Sequence, residues 1–183
     1  RFLRFLEEPS SLPPELKGVV YSLAARSGNN ATFDSLRRLS EEADLQEEKI
    51  RLLLAMARFQ DKEILKRTLD LSLSSKVRSQ DTVILVSSVA GNTYGRDLAW
   101  KYIKDNWAEF DKRYGAGGFA MMRLVSITGG FSTPEARRDV EEFFQRNPVP
   151  SATRTIQQSL ERIDLNVHWL DRNRDGLASW FGG

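Results

Sequence analysis

The stretch YGRDLAWKYIKDNWAEFDKRY, residues 94–114, decides the fold. Trp100, Ile103, Trp107 and Phe110 stand at i, i+3, i+7 and i+10, the spacing of one apolar stripe along an α-helix, with charges of both signs between them. A half-buried strand would instead alternate apolar and polar residues. The spacing predicts one long helix from Tyr94 to Tyr114, broken by Gly115, Gly117 and Gly118.

The same period continues on both sides. Upstream, a helix opening at Pro13-Pro14-Glu15 and stopped by Gly28 would bury Leu16, Val19, Val20 and Leu23. Thr32 is placed to cap the next, with Phe33, Leu36 and Leu39 inward, and Asp44 with Glu47 has capping-box spacing for a third bearing Ile50, Leu53, Leu54 and Ala57. Asp61 caps a fourth around Ile64, Leu65 and Leu69. Val83, Ile84, Val86 and Val89 are β-branched and could mark a strand, but their helical neighbours decide for a fifth helix.

Downstream, Phe119, Met122 and Val125 define a helix ending near Gly129-Gly130, and Thr133-Pro134 starts another whose inner face is Val140, Phe143 and Phe144. Ser151 is read as the cap of a further helix carrying Ile156, Leu160 and Ile163. The rest, through Trp169 to Phe181, reads as one or two shorter helices. Short turns between amphipathic helices favour antiparallel pairs stacked side by side. No strict period is present, so the expectation over residues 1–183 is a single all-α domain, an irregular superhelix of the HEAT or armadillo sort.

Composition narrows the function classes. Hydrophobic residues make up 40% and charged residues 28%, the balance of a folded chain rather than a disordered one. The 27 basic and 25 acidic side chains nearly cancel, so nothing points to nucleic acid, and Trp100, Trp107, Phe143 and Phe144 lie on apolar faces rather than among clustered cations. No apolar run reaches the roughly 18 residues of a membrane span. The absence of Cys suits a reducing compartment, and the cytoplasm is the expected location. The start at Arg1, leading straight into Phe2-Leu3-Arg4-Phe5-Leu6, reads as a cut inside a longer protein.

A set of ordered motifs goes further than the fold. Gln80-Asp81, Gly95-Arg96, Ala99-Trp100-Lys101-Tyr102-Ile103, Asn106-Trp107, Gly130-Phe131-Ser132-Thr133, Glu142-Phe143-Phe144, Pro150-Ser151, Thr155-Ile156-Gln157-Gln158 and Trp169-Leu170 occur in sequence between about Arg58 and Trp180. In that order they resemble the C-terminal helical domain of the thermolysin-like zinc aminopeptidases, most closely the puromycin-sensitive aminopeptidase group. The resemblance implies a bowl-shaped array lying over a catalytic domain that is upstream in the same polypeptide. It also implies zinc in that catalytic domain, held by an H-E-x-x-H helix and a distant Glu, and a peptide as substrate. None of the zinc set is present here, since the chain has one imidazole, His168, and no thiol.

Other constellations carry little chemistry. Asp171-Arg172-Asn173-Arg174-Asp175-Gly176 matches the first half of a calcium loop, but the twelfth position is Gly182 rather than a bidentate Glu, and two arginines oppose a cation. It is read as a polar surface turn. His168, with no ligand partner at helical spacing, is read as a partly buried histidine satisfied by a neighbour. No G-x-S-x-G turn offers a nucleophile, and the glycines at 115, 117 and 118 join two helices rather than a strand to a helix, so they form no dinucleotide loop.

Arg58 is the one candidate for substrate contact. It follows Leu52-Leu53-Leu54-Ala55-Met56-Ala57, and in the endoplasmic-reticulum members that this stretch resembles, the matching arginine faces the chamber and meets the carboxylate end of a peptide. A guanidinium suits that task because its planar fork pairs with both carboxylate oxygens and stays charged. The competing reading of Arg58 is a surface residue at a helix end. For the chain as a whole, the expected role is an accessory domain that covers the substrate chamber and binds or selects peptides by length, without bond chemistry of its own. A free-standing helical scaffold that binds a protein partner is the alternative.

Overall fold

The computed structural model describes residues 1–182, and among them every regular element is helical. Eleven α-helices are numbered α1 to α11 in chain order. The chain divides into two compact units, Arg1–Tyr102 and Ile103–Gly183.

The first unit holds α1 (Phe2–Glu7), α2 (Pro14–Arg26), α3 (Asn30–Glu42), α4 (Gln46–Met56), α5 (Lys62–Leu73), α6 (Ser79–Ala90) and most of α7 (Arg96–Asp105). Its helices pack in neighbouring pairs, α2 and α3 on α4, and α5 on α6, with α4 also touching α6. Leu36, Leu52, Met56, Phe59, Leu65 and Val86 are sealed from solvent at their centre. Asp61 caps α5 as its sequence position predicts, accepting from the N–H groups of Glu63 and Ile64 at 2.8 and 3.0 Å. The β-branched run of α6 is helical, because Val83, Val86 and Val89 all find apolar partners on one face.

Several expectations are corrected here. Phe2 and Phe5 form a short helix of their own and lay their rings on Tyr21, at 6.2 and 5.6 Å between centroids. Tyr21 thereby displaces the anticipated stripe of α2, which buries Val20, Tyr21 and Ala25 and leaves Leu16, Val19 and Leu23 exposed. A tyrosine can enter the core because its hydroxyl donates to Glu48 at 2.7 Å. Asn29, not Thr32, caps α3, its Oδ1 accepting from Ala31 and Thr32 N–H at 3.1 and 3.3 Å. The capping box of Asp44 and Glu47 does not form, since Leu45 occupies the cap position and Glu47 turns to Arg51 at 2.9 Å.

The second unit holds the end of α7, then α8 (Trp107–Tyr114), α9 (Phe119–Ser126), α10 (Pro134–Arg146) and α11 (Thr153–Phe181). The single helix expected over 94–114 is two helices, with the backbone leaving helical geometry at Asn106 (φ −112°, ψ 20°). The apolar stripe survives the break, which is why periodicity alone did not reveal it: Trp100, Ile103 and Phe110 are buried, and Trp107 is half-buried edge-on against Phe143 at 5.1 Å. Gly115 closes α8, and Gly117 and Gly118, in the connection to α9, have φ of 111° and 109°, a region that L side chains rarely enter.

In α9 the buried residues are Met121, Leu124 and Val125, whereas Phe119 is exposed at the helix start and Met122 is half-buried. Thr133 caps α10 as expected, accepting from Ala136 N–H at 3.2 Å, and Val140, Phe143 and Phe144 face inward. Ser151 sits in a 3-10 turn, Pro150–Ala152, rather than capping a helix. From Thr153 one helix runs unbroken to Phe181, replacing the two or more short ones anticipated. Asp171 to Gly176 is therefore helical and not a turn, and Asp171 pairs with Arg174 one turn on at 3.6 Å. His168 lies exposed on the same helix rather than partly buried.

Candidate functional site

The structure brings Arg58 into a cleft of about 370 Å³ built entirely within the first unit. Three chain segments line it: Ser22, Leu23 and Arg26 from the last turns of α2, Arg58 and Gln60 from the connection between α4 and α5, and Gly91 to Tyr94 from the turn after α6. These are the C-terminal ends of alternate helices. In an antiparallel stack such ends recur on one edge, so residues about one helix pair apart in sequence become neighbours.

The backbone around Arg58 is fixed on both sides. Its own N–H donates to Ala55 O at 2.9 Å, closing α4. The carbonyls flanking it, Ala57 O and Phe59 O, both accept from the Asn92 carboxamide, at 2.9 and 2.7 Å. Phe59 is fully buried and meets Phe33 at 6.0 Å, edge to face. The Asn92 Oδ1 accepts from Tyr94 N–H at 3.0 Å, so one carboxamide ties the floor of the cleft to its wall. Close packing requires Gly95 just beyond: a Cβ there would meet Val89 O at 2.4 Å.

The cleft is cationic. Arg26 and Arg58 both line it, no Asp or Glu does, and among the described residues neither guanidinium has an ion-pair or hydrogen-bond partner. Most other arginines of this chain are paired, as Arg67 is with Asp34 at 2.6 Å and Arg137 with Glu141 and Asp164 at 2.6 and 2.8 Å. Two unpaired guanidiniums beside the side-chain polar groups of Ser22, Gln60, Thr93 and Tyr94 can receive an anion with acceptor oxygens, a carboxylate above all. Arg26 also stands in the last turn of α2, where a cation is favoured by the helix dipole.

Sequence reasoning named Arg58, and the structure adds Arg26 and Tyr94 as residues that line the same cleft. The available signal was the spacing of three helix C-termini, at Arg26, Met56 and Ala90, each followed by a turn.

The cleft holds no nucleophile paired with a base. Among the described residues no group of three His, Cys, Asp or Glu is placed to hold a metal ion, and the single imidazole stands alone on α11 among Leu165, Asp171 and Arg172. The residues present do not fit zinc. No described helix is long and apolar enough to cross a membrane.

The fold and the cleft together define an all-α array with a polar recess and, among the described residues, no metal cage. Comparison with known proteins gives that class its family. Residues 1–165 match the model of the ERAP1-like C-terminal domain, and the chain belongs to that family, the helical C-terminal domain of M1 aminopeptidases. It is 33% identical to aminopeptidase M1 of Arabidopsis thaliana over 97% of its length, 32% to glutamyl aminopeptidase of Sus scrofa over 98%, and 30% to aminopeptidase N of Bos taurus over 98%. It spans about a fifth of each relative, from 19% to 21%.

Proposed function

We propose that this chain is the accessory domain of a zinc aminopeptidase that removes N-terminal residues from peptides, and that its cleft receives the far end of the peptide. The catalytic domain and its zinc lie upstream in the same polypeptide. In this reading the helical array covers the substrate chamber in a bowl, favours peptides long enough to reach the cleft, and leaves bond chemistry to the metal. Binding energy collected at a distance orients the scissile bond, so a wall without catalytic groups still affects rate. The observation that carries the proposal is the pair of unpartnered guanidiniums, Arg26 and Arg58, in a cleft without acids. A cytoplasmic location is in keeping with the absence of Cys.

The test uses the longer polypeptide. Hydrolysis of a peptide of about ten residues is compared with that of its C-terminal amide, in the natural protein and in Arg58→Ala. A bidentate contact to a charged group contributes about 1.5 to 3 kcal/mol, so kcat/KM for the free acid should fall about 10- to 150-fold and that for the amide far less. Equal losses on both substrates remove the carboxylate anchor. A coding frame that opens near Arg1 with no metal-binding segment would favour the free-standing scaffold instead.

A further inference from the structure

The lining of the Arg26–Arg58 cleft discriminates between peptide ends. Among the described residues it holds two guanidiniums, no acid and one aliphatic side chain, Leu23, which is itself 60% exposed. An apolar last residue would gain little there, because hydrophobic stabilisation scales with the apolar area removed from water. A basic last residue would add a third cation to two that already repel. A neutral polar one offers a single carboxylate, its terminal one, and leaves the second guanidinium as it was.

An acidic last residue differs, since it brings two carboxylates on one residue. Each can accept from a guanidinium, whose planar fork matches both carboxylate oxygens. The carbonyls of Ala57 and Phe59, which would repel an anion beside Arg58, already accept from Asn92 at 2.9 and 2.7 Å. That clamp fixes the backbone of Arg58 from both sides, whereas Arg26 reaches the cleft from a separate segment, the last turn of α2. At about 370 Å³ the cleft is at the small end of ligand sites, which run from about 300 to 1,000 Å³, so it suits the end of a peptide and not a folded surface.

We propose that the cleft selects peptides whose C-terminal residue is acidic, Asp or Glu, with Arg58 taking the terminal carboxylate and Arg26 the side-chain carboxylate. This rests on the accessory-domain reading, in which the cleft receives the far end of the peptide, and adds to it the identity of that end. Arg26 is then the residue that sets specificity. Both arginines are exposed, so the selection weakens as salt screens them.

The experiment measures kcat/KM in the longer polypeptide for two peptides of about ten residues that differ only in the last side chain, Glu or Gln. Gln keeps the shape of Glu and lacks its charge. The natural protein should favour the Glu-ended peptide roughly 3- to 10-fold at low salt, between the effect of an exposed ion pair and that of a buried charged hydrogen bond, and less at about 0.5 M salt. Arg26→Gln should bring the ratio to about one, Arg26→Lys should keep part of it, and Arg58→Ala should slow both peptides and keep the ratio. Because both peptides meet the same variant, any loss of folded protein cancels in the ratio. A ratio near one in the natural protein, a ratio that survives Arg26→Gln, or one lost in Arg58→Ala overturns the proposal. Failure of the anchor is read separately, from equal losses on the acid and amide forms of one peptide, whereas here both peptides keep a free terminal carboxylate.

Discussion

The Asn92 side chain donates to the Phe59 carbonyl at 2.7 Å, and with its second bond to Ala57 O it clamps the one residue between them, Arg58. The second unit repeats the device: Asn166 Nδ2 reaches Gly129 O and Phe131 O at 3.1 and 2.8 Å, holding the turn that ends the preceding helix pair. In each case a single carboxamide satisfies two carbonyls that a helix end leaves without intrahelical partners. The spacing of the accepting residues, i and i+2, is the same in both.

Asn92→Ala should therefore cost about 1 to 3 kcal/mol, because it strips two acceptors of their donor. Asn92→Asp should cost more, since a carboxylate would face two carbonyl oxygens. Urea unfolding of both variants checks the order, and Asn166→Ala provides the parallel case in the second unit. A change of only a few tenths of a kcal/mol in Asn92→Ala would show that water replaces the clamp at no cost.

Stability should respond to pH through Tyr21 and Glu48. Burial raises the Glu48 carboxyl, but the hydrogen bond from Tyr21 and the charges of Lys17 and Arg51 outweigh it and hold the group below its ordinary value of 4.5. A depressed pKa means that the folded form binds the proton less readily than the unfolded one. The contribution is present above about pH 4.5 and is lost as pH falls through the folded value. Burial first, then the hydrogen bond and charge of Glu48, push the Tyr21 phenol well above its ordinary 10.0. That contribution is present below pH 10 and is lost as pH rises towards the folded value. Tyr21→Phe should cost about 1 kcal/mol at pH 7 and flatten the alkaline limb of the stability curve. Glu48→Gln should flatten the acid limb. Unchanged limbs in both variants would dissociate the cluster from the pH response.

The fold class was legible because apolar residues recur at 3.6-residue spacing over nearly the whole chain, and the caps at Asp61 and Thr133 were legible because proline or acidic residues follow them. The face of α2 was not, because a hydrophobic stripe identifies what can be buried and not what covers it. Tyr21 entered the core through Glu48, a residue on another helix, and left three aliphatic neighbours outside. Likewise the periodicity of Asp171 to Gly176 gave way to a motif that suggested a turn, whereas Asn173 donates to Trp169 O at 2.7 Å within a continuous helix. Arg58 was named from a resemblance; that Arg26 lines the same cleft required the third dimension.

Core position should outweigh side-chain size in α8. Phe110 is fully buried and Trp107 only half-buried against Phe143 and Phe144. Phe110→Ala should cost about 3 to 5 kcal/mol through the cavity it leaves, and Trp107→Ala roughly 2, because solvent fills much of the space the indole vacates. Thermal or urea unfolding settles the order, and a larger loss at Trp107 would mean that the aromatic cluster, not Phe110, is the keystone of this unit.

Two glycines should respond to alanine with opposite signs. Gly118 has φ of 109° before α9, and although a Cβ there would meet nothing within 4 Å, the backbone conformation itself is strained for alanine, by about 1 to 2 kcal/mol. Gly176 lies inside α11, and a Cβ there also finds open space. With helical backbone already in place, Gly176→Ala should favour the helix by about 0.5 to 1 kcal/mol, seen as slower amide exchange between Asn173 and Ser179. In a calcium-loop geometry the same glycine would sit at the sharp turn and alanine would be costly. Faster exchange in Gly176→Ala, or protection gained only on adding calcium, would therefore replace the helix with the loop at the end of this chain.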